Sequence, residues 1–129
     1  MERNIKSSQN TKILIVDDEV EILDLLERAF VRANFDVFRA EDGAKAFEVI
    51  KSEHIDCVLT DIRMPKCDGA QLLTQIKELG PSAPLVFVMT GSTGAKELDL
   101  VALGAIMQFN KPFHSIDVIK AIKRALGVN

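Results

Sequence analysis

The sequence predicts an α/β fold: a doubly wound, five-stranded parallel sheet with helices on both faces. Short β-branched runs alternate along the chain with stretches in which apolar residues recur at helical spacing. Two of the short runs, KILIV at 12–16 and PLVFVM at 84–89, are apolar at consecutive positions. Strands of that composition are typical of a sheet that is covered by helices on both of its faces.

Each predicted strand is a β-branched run that is followed by a helical pattern. The strands are predicted, in chain order, at 12–16, 36–40, 56–60, 84–89 and 106–109. The helical stripes are formed by Ile22, Leu23, Leu26 and Phe30; by Ala46, Val49 and Ile50; by Leu72, Leu73 and Ile76; by Leu98, Val101 and Ala102; and by Ile119, Ile122 and Leu126. Glycine and proline pairs such as Gly80-Pro81 separate the elements. We therefore expect a loose tail at 1–11 and one domain at 12–127.

The composition excludes several classes of function. The 129 residues, 47% hydrophobic and 27% charged, suit one globular domain with a sizeable core. A formal net charge of −3 argues against binding to nucleic acid or to an anionic membrane. No apolar run reaches the roughly 18 residues that span a bilayer, and the N-terminus lacks the apolar core of a signal peptide, so a cytoplasmic location is expected. The two cysteines and two histidines lack the spacing of a zinc site or a disulfide framework.

Polar side chains stand at the carboxyl ends of four predicted strands. The first strand is followed by Asp17 and Asp18, the third by Asp61, the fourth by Thr90 and the fifth by Lys111. Taken singly, each has an ordinary explanation, such as a helix cap or a solvated surface charge. In a parallel sheet, however, the carboxyl ends of the strands meet at one edge, where ligands bind. The combination therefore predicts a binding or catalytic site.

Three carboxylates at one sheet edge require either protonation or a compensating cation. Two carboxylates about 5 Å apart repel each other by about 3 kcal/mol at an effective dielectric constant near 20. An all-oxygen ligand set with open water positions suits Mg²⁺, or Mn²⁺, rather than zinc. A carboxylate can accept a phosphoryl group while a lysine and a hydroxyl neutralise its oxygens, and Asp61, Lys111 and Thr90 fit those roles. The chain has neither of the familiar glycine-rich nucleotide loops.

Four segments resemble the receiver domains of two-component response regulators. They are VDDE, LTDIRMPKCDG, VMTG and NKPF, which occur in this order at the ends of successive predicted strands. The resemblance covers residues 12 to about 126. It implies a flavodoxin-like (βα)₅ fold with strand order 2-1-3-4-5.

The resemblance also implies a role for each site residue. Asp61 would accept a phosphoryl group from a phosphohistidine on a sensor histidine kinase or a histidine phosphotransfer protein. Asp17, Asp18 and Asp61 would bind Mg²⁺ together with the backbone carbonyl of Arg63. Thr90 and Lys111, the other two predicted site residues, would bind the phosphoryl oxygens.

Four further residues are expected to support the site. In the family, the peptide bond between Lys111 and Pro112 is usually cis. Gly91 would leave room beside the phosphoryl group, and Pro65 with Gly69 would shape the loop after the acceptor strand. Glu19 is expected outside the cluster, at the start of the first helix, where a negative charge suits the helix dipole.

The expected switch departs from the family pattern at one position. In the family, phosphorylation draws the threonine inward and an aromatic residue on the fifth strand follows, which changes the surface formed by the fourth helix, fifth strand and fifth helix (α4-β5-α5 in the family). The equivalent position here is Gln108, and Phe109 is expected on the opposite sheet face by strand alternation. Our hypothesis is that Gln108 makes a polar contact in place of ring rotation.

Two other function classes are compatible with parts of this pattern. One is a receiver-like protein-interaction module that is not phosphorylated. The other is an aspartate-nucleophile phosphohydrolase of the haloacid dehalogenase type, although that family places its nucleophile first, in a DxD motif, and its acid pair last.

As a receiver, the domain would catalyse only its own phosphorylation and dephosphorylation, and would act on a downstream protein or a fused effector domain. It would be a monomer or a phosphorylation-dependent homodimer, with the apolar stripe from Ile116 to Leu126 facing the core or a dimer partner.

Overall fold

The computed structural model describes residues 10–62, 69–91 and 104–128. Its five strands form one parallel sheet in the order β2-β1-β3-β4-β5. The strands are β1 Lys12–Val16, β2 Asp36–Ala40, β3 Cys57–Asp61, β4 Leu85–Thr90 and β5 Ala105–Asn110. This confirms the predicted fold class and the strand order that the resemblance implied.

Four α-helices lie in the described part of the chain. They are α1 Val20–Arg32, α2 Gly43–Ser52, α3 Gly69–Lys77 and α4 Ser115–Leu126, and a 3₁₀ turn covers Gly80–Ser82. Here α4 is the predicted fifth helix, whereas the predicted fourth helix lies outside the described residues. None of the helices that the structure describes is long and apolar enough to cross a membrane.

The sheet buries apolar side chains on both faces, as consecutive apolar residues in the strands predict. One face packs against α2 and α3 through Leu14, Val16, Val58, Val86, Val88, Ala46, Ile50, Leu72, Leu73 and Ile76. The other face packs against α1 and α4 through Ile13, Ile15, Leu59, Phe87, Met89, Leu23, Leu26, Phe30, Val118 and Ile122. The α4 stripe therefore serves the core through Ile122, whereas Ile116 is 61% exposed.

Two strands begin one residue later than predicted, and each difference has an explanation in hydrogen bonding. The carboxylate of Asp56 accepts a hydrogen bond from the Lys12 backbone N–H at 2.8 Å, so Asp56 precedes β3 as a bridging residue. Pro84 has no backbone N–H to donate, and β4 begins at Leu85. Both strands also end one residue later than predicted, so Asp61 and Thr90 are the last residues of β3 and β4.

The strand register brings the predicted site residues to one edge of the sheet. Val16, the last residue of β1, pairs with Thr60, so Asp17 follows beside Asp61. On the other side of β3, Asp61 pairs with Met89. The last pair between β4 and β5 is Thr90 with Asn110.

Candidate functional site

An acidic cluster occupies this edge, formed by Asp17, Asp18 and Asp61. One carboxylate oxygen from each of the three lies within 4.8 Å of the others. Asp17 and Asp61 are buried and Asp18 is exposed. The cluster is held in place locally, because Asp17 Oδ1 accepts a hydrogen bond from the Glu19 backbone N–H at 2.9 Å. The three predicted carboxylate ligands therefore converge, with a solvent-facing side at Asp18.

The ammonium group of Lys111 lies against this cluster. Its Nζ is 3.1 Å from Asp17 Oδ2 and 3.4 Å from Asp61 Oδ1. The peptide bond between Lys111 and Pro112 is cis, as the resemblance implied. Glu19 is the N-cap residue of α1, as expected, but its carboxylate also lies 4.0 Å from Lys111 Nζ. Glu19 is therefore closer to the site than the sequence analysis placed it.

Burial and charge shift the pKa values of these groups. The pKa of Asp61 rises from its ordinary value of 3.8 to about 6, chiefly because burial disfavours the carboxylate; Lys111 opposes the rise and Asp17 adds to it. Burial also raises the pKa of Asp17, against its hydrogen bonds from Glu19 and Lys111. For Lys111, burial lowers the pKa, but Asp17 and Asp61 outweigh that effect and the net shift is upward. The site therefore holds an ammonium between two poorly solvated carboxyl groups.

The hydroxyl of Thr90 is directed to a partner that sequence analysis did not identify. Thr90 is fully buried, and its Oγ1 donates a hydrogen bond to Asn110 Oδ1 at 2.9 Å. Gln108 Nε2 donates to the same Asn110 oxygen at 3.1 Å. The sequence indicated only that Asn110 lies near the site, since it directly precedes Lys111 and shares a strand face with Gln108; it did not indicate the partnership with Thr90.

Phe109 lies on the opposite face of β5 from Gln108, as strand alternation predicted. Its ring stacks on Phe87 at 6.4 Å between centroids and meets Phe113 edge-on at 6.5 Å. These contacts belong to the core layer beneath α1 and α4. The aromatic ring next to Gln108 is therefore packed away from the Thr90 side of the strand.

The supporting residues are only partly within the described chain. A Cβ atom at Gly69 would lie 2.5 Å from the backbone oxygen of Asp61 and 2.7 Å from Ile62 Cα, so this position requires glycine. A Cβ atom at Gly91 would meet no atom of the described residues within 4 Å, and its predicted role stays a prediction. Arg63 and Pro65 lie outside the described residues.

Comparison with known proteins gives consistent matches over nearly the whole chain. The family model of the response regulator receiver domain matches residues 13–123. Sporulation initiation phosphotransferase F of Bacillus subtilis is 33% identical over 121 residues, which cover 91% of this chain and 94% of the relative. Several other curated relatives are longer, and the match spans only 14%, 24% or 49% of their length.

Solved structures show the same likeness. A CheY-like receiver domain protein from Methanospirillum hungatei has a TM-score of 0.85 and 27% identity, with 92% of this chain and 95% of that chain covered. The receiver domain of the sensor histidine kinase PA1611 from Pseudomonas aeruginosa, whose structure has a magnesium ion in the active site cleft, has a TM-score of 0.84 and 22% identity, with 92% and 98% covered. These matches give no support to the phosphohydrolase alternative. The chain belongs to the response regulator receiver domain family, the phosphoryl-accepting modules of two-component signal transduction.

Proposed function

We propose that Asp61 is the residue that accepts the phosphoryl group in this receiver domain. The observation that carries the proposal is the position of its carboxylate, buried at the end of the central strand, 3.4 Å from an ammonium group and beside two further carboxylates. With a pKa of about 6, Asp61 is ionised at neutral pH, and the ionised form is the nucleophile. As a receiver domain, the protein is a signalling module rather than a conventional enzyme.

The proposed reaction is an in-line transfer from a phosphohistidine. A carboxylate oxygen of Asp61 forms a bond to phosphorus while the bond from phosphorus to the donor's imidazole nitrogen breaks, and that bond's electron pair stays on the nitrogen. The ammonium of Lys111 stabilises the negative charge on the transferred group, and the Thr90 hydroxyl donates to one of its oxygens. The domain thereby catalyses its own phosphorylation, and water attack on the same phosphorus returns the carboxylate.

We further propose that Asp17, Asp18 and Asp61 hold Mg²⁺, with Mn²⁺ as a substitute and the backbone carbonyl of Arg63 as an additional ligand. Support comes from the donor set, which offers carboxylate oxygens only, within 4.8 Å of one another. The exposure of Asp18 leaves this side open to water. When bound, the ion neutralises charge on the phosphoryl oxygens. The magnesium-containing PA1611 receiver domain gives the proposal a precedent within the fold.

The partner is proposed to be a sensor histidine kinase or a histidine phosphotransfer protein. Support comes from the names of two relatives, one a phosphotransferase and the other a sensor kinase. Phosphorylation would alter the surface around β5, which a downstream protein or a fused effector domain would bind. We propose residues 12–127 as the domain, 1–11 as a tail and the cytoplasm as its location.

A labelling experiment tests the assignment of Asp61. The protein is incubated with acetyl phosphate and Mg²⁺, and intact-mass spectrometry should show the addition of one phosphoryl group. The added mass should be removed by hydroxylamine, which cleaves acyl phosphates, and should not form when EDTA is present during the incubation. Peptide mapping after reduction of the acyl phosphate with borohydride should locate the modification at Asp61.

Two variants complete this test. Asp61→Asn should remove the labelling, whereas Asp36→Asn, at the opposite end of the sheet, should retain it. Labelling of Asp61→Asn at the wild-type level would assign the acceptor to another residue. Absence of labelling in the wild type with both acetyl phosphate and a phosphohistidine donor would favour an unphosphorylated interaction module.

A further inference from the structure

The hydroxyl of Thr90 is already engaged in the protein described above. Thr90 is fully buried, and its single hydroxyl hydrogen is donated to Asn110 Oδ1 at 2.9 Å. The backbone is fastened at the same point, because the Lys111 N–H donates to the Thr90 carbonyl at 2.8 Å. Thr90 and Asn110 are also direct partners in the register of β4 and β5. The hydroxyl therefore has a preformed acceptor on the neighbouring strand.

The acceptor on Asn110 is shared with Gln108. Gln108 Nε2 donates to the same oxygen at 3.1 Å, from two residues earlier on the same face of β5. Both Gln108 and Asn110 are exposed, whereas Thr90 is buried. A hydrogen-bonded chain thus runs from the buried end of β4, through Asn110, to an exposed side chain on the edge strand. Phe109 takes no part in it, since its ring packs against Phe87 on the other face.

A phosphoryl group on Asp61 would compete with Asn110 for the Thr90 proton. A hydroxyl carries one hydrogen and makes one full donor bond at a time. Donation to a phosphoryl oxygen therefore requires that the bond to Asn110 is given up. Asn110 would then keep Gln108 as its donor and would be free to move with it.

We propose that Asn110 is a positioning residue for phosphoryl binding. It accepts the hydrogen bond of the Thr90 hydroxyl in the unphosphorylated protein and loses that bond on phosphorylation. The change then reaches Gln108, on the exposed face of β5. The inference rests on the proposed function, in which Thr90 donates to a phosphoryl group on Asp61. It replaces the ring movement of the family pattern with an exchange of hydrogen-bond partners. It also gives Gln108 a defined contact and makes Asn110 part of the switch.

The test uses beryllofluoride, a phosphoryl mimic, with Mg²⁺, and the backbone amide signals of the site in NMR spectra. Asn110→Ala removes the competing acceptor, and the affinity for beryllofluoride should rise about fivefold, the change expected for one net neutral hydrogen bond. Asn110→Val, which introduces a β-branched side chain suited to an edge strand, should give the same rise in affinity. Gln108→Ala leaves the bond between Thr90 and Asn110 in place and should change the affinity less than about twofold.

A second readout separates this role from a purely structural one. In the wild type, the side-chain amide signals of Gln108 should shift when beryllofluoride binds. The shift should be lost in Asn110→Ala and in Thr90→Val, and in the Thr90→Val background Asn110→Ala should no longer change the affinity. Unchanged or weaker binding by both Asn110 variants, or Gln108 amide signals that do not respond in the wild type, would overturn the inference while leaving phosphorylation at Asp61 intact. A wild type that binds no beryllofluoride would overturn the proposed function and this inference together.

Discussion

Asp61→Asn is expected to stabilise the Mg²⁺-free protein, although it removes the proposed acceptor. The pKa of Asp61 is about 6 in the folded protein and 3.8 in an unperturbed chain. At 1.36 kcal/mol per pKa unit, this difference corresponds to about 3 kcal/mol. The side chain is only 10% exposed, so solvent screens little of this free energy. Asparagine has the shape of the protonated acid and avoids the cost of a buried charge.

The gain in the free energy of unfolding on Asp61→Asn substitution should increase as the pH rises. A folded-state pKa above the unfolded one means that the protonated carboxyl favours the folded state. The stabilising contribution of Asp61 is thus fully present below about pH 4 and is lost as the pH rises through about 6. Relative to the wild type, Asp61→Asn should therefore gain only about 0.5 kcal/mol at pH 4 and about 3 kcal/mol at pH 8.

Urea denaturation in EDTA, at pH 4 and pH 8, measures this difference. Thermal denaturation at pH 8 should show an increase in Tm of about 10 °C. Mg²⁺ should stabilise the wild type more than the variant and so narrow the gap, because the ion neutralises the same charge. Glu48→Gln, which removes an exposed carboxylate on α2, should change the stability by less than about 0.5 kcal/mol at either pH. A gain that is absent at pH 8, or equally large at pH 4, would contradict the electrostatic explanation.

Two further substitutions test other parts of the site. Lys111→Met should raise the pKa of Asp61 above about 6, because it removes the opposing cation, and should slow labelling by acetyl phosphate about 100-fold. The control Lys120→Met, on the exposed side of α4, should have neither effect. NMR titration of Asp61 and labelling rates measure the two effects, and an unchanged rate would remove Lys111 from the reaction. Gly69→Ala should lower the free energy of unfolding by about 1 to 3 kcal/mol, because the new Cβ would lie 2.5 Å from the Asp61 backbone oxygen. Thr74→Ala, exposed on the same helix, is the control in urea denaturation, and equal stability of the two variants would mean that the backbone relaxes without cost.

Most of the fold could be predicted, because the spacing of apolar residues along the chain decides which faces of the strands and helices are buried. Consecutive apolar residues in β1 and β4 predicted two covered faces, and both faces are covered. The stripe of Leu72, Leu73 and Ile76 is buried throughout. Strand ends were predicted less well, since they depend on single hydrogen bonds such as that of Asp56 with Lys12, which joins residues 44 positions apart.

The sequence predicted which residues of the candidate site lie at strand ends, but not how their side chains interact. Because every parallel strand ends at the same edge, the order of elements alone brings Asp17, Asp61 and Lys111 together. Side-chain partners across strands could not be predicted in this way. The bond between Thr90 and Asn110 depends on the register of β4 with β5, which contains an irregularity between Val86 and Phe87 that no sequence pattern indicates.

By itself, the sequence determined the fold class, the chemical identity of the site and the departure at Gln108, because periodicity and residue type are local properties of the chain. Only the tertiary structure decided how the groups at that edge interact. Burial raises the pKa of Asp61, Glu19 comes within 4.0 Å of Lys111, and Asn110 accepts a hydrogen bond from the Thr90 hydroxyl. Each of these depends on a distance or on the exclusion of water, and both are set by the packing of elements that are far apart in the sequence.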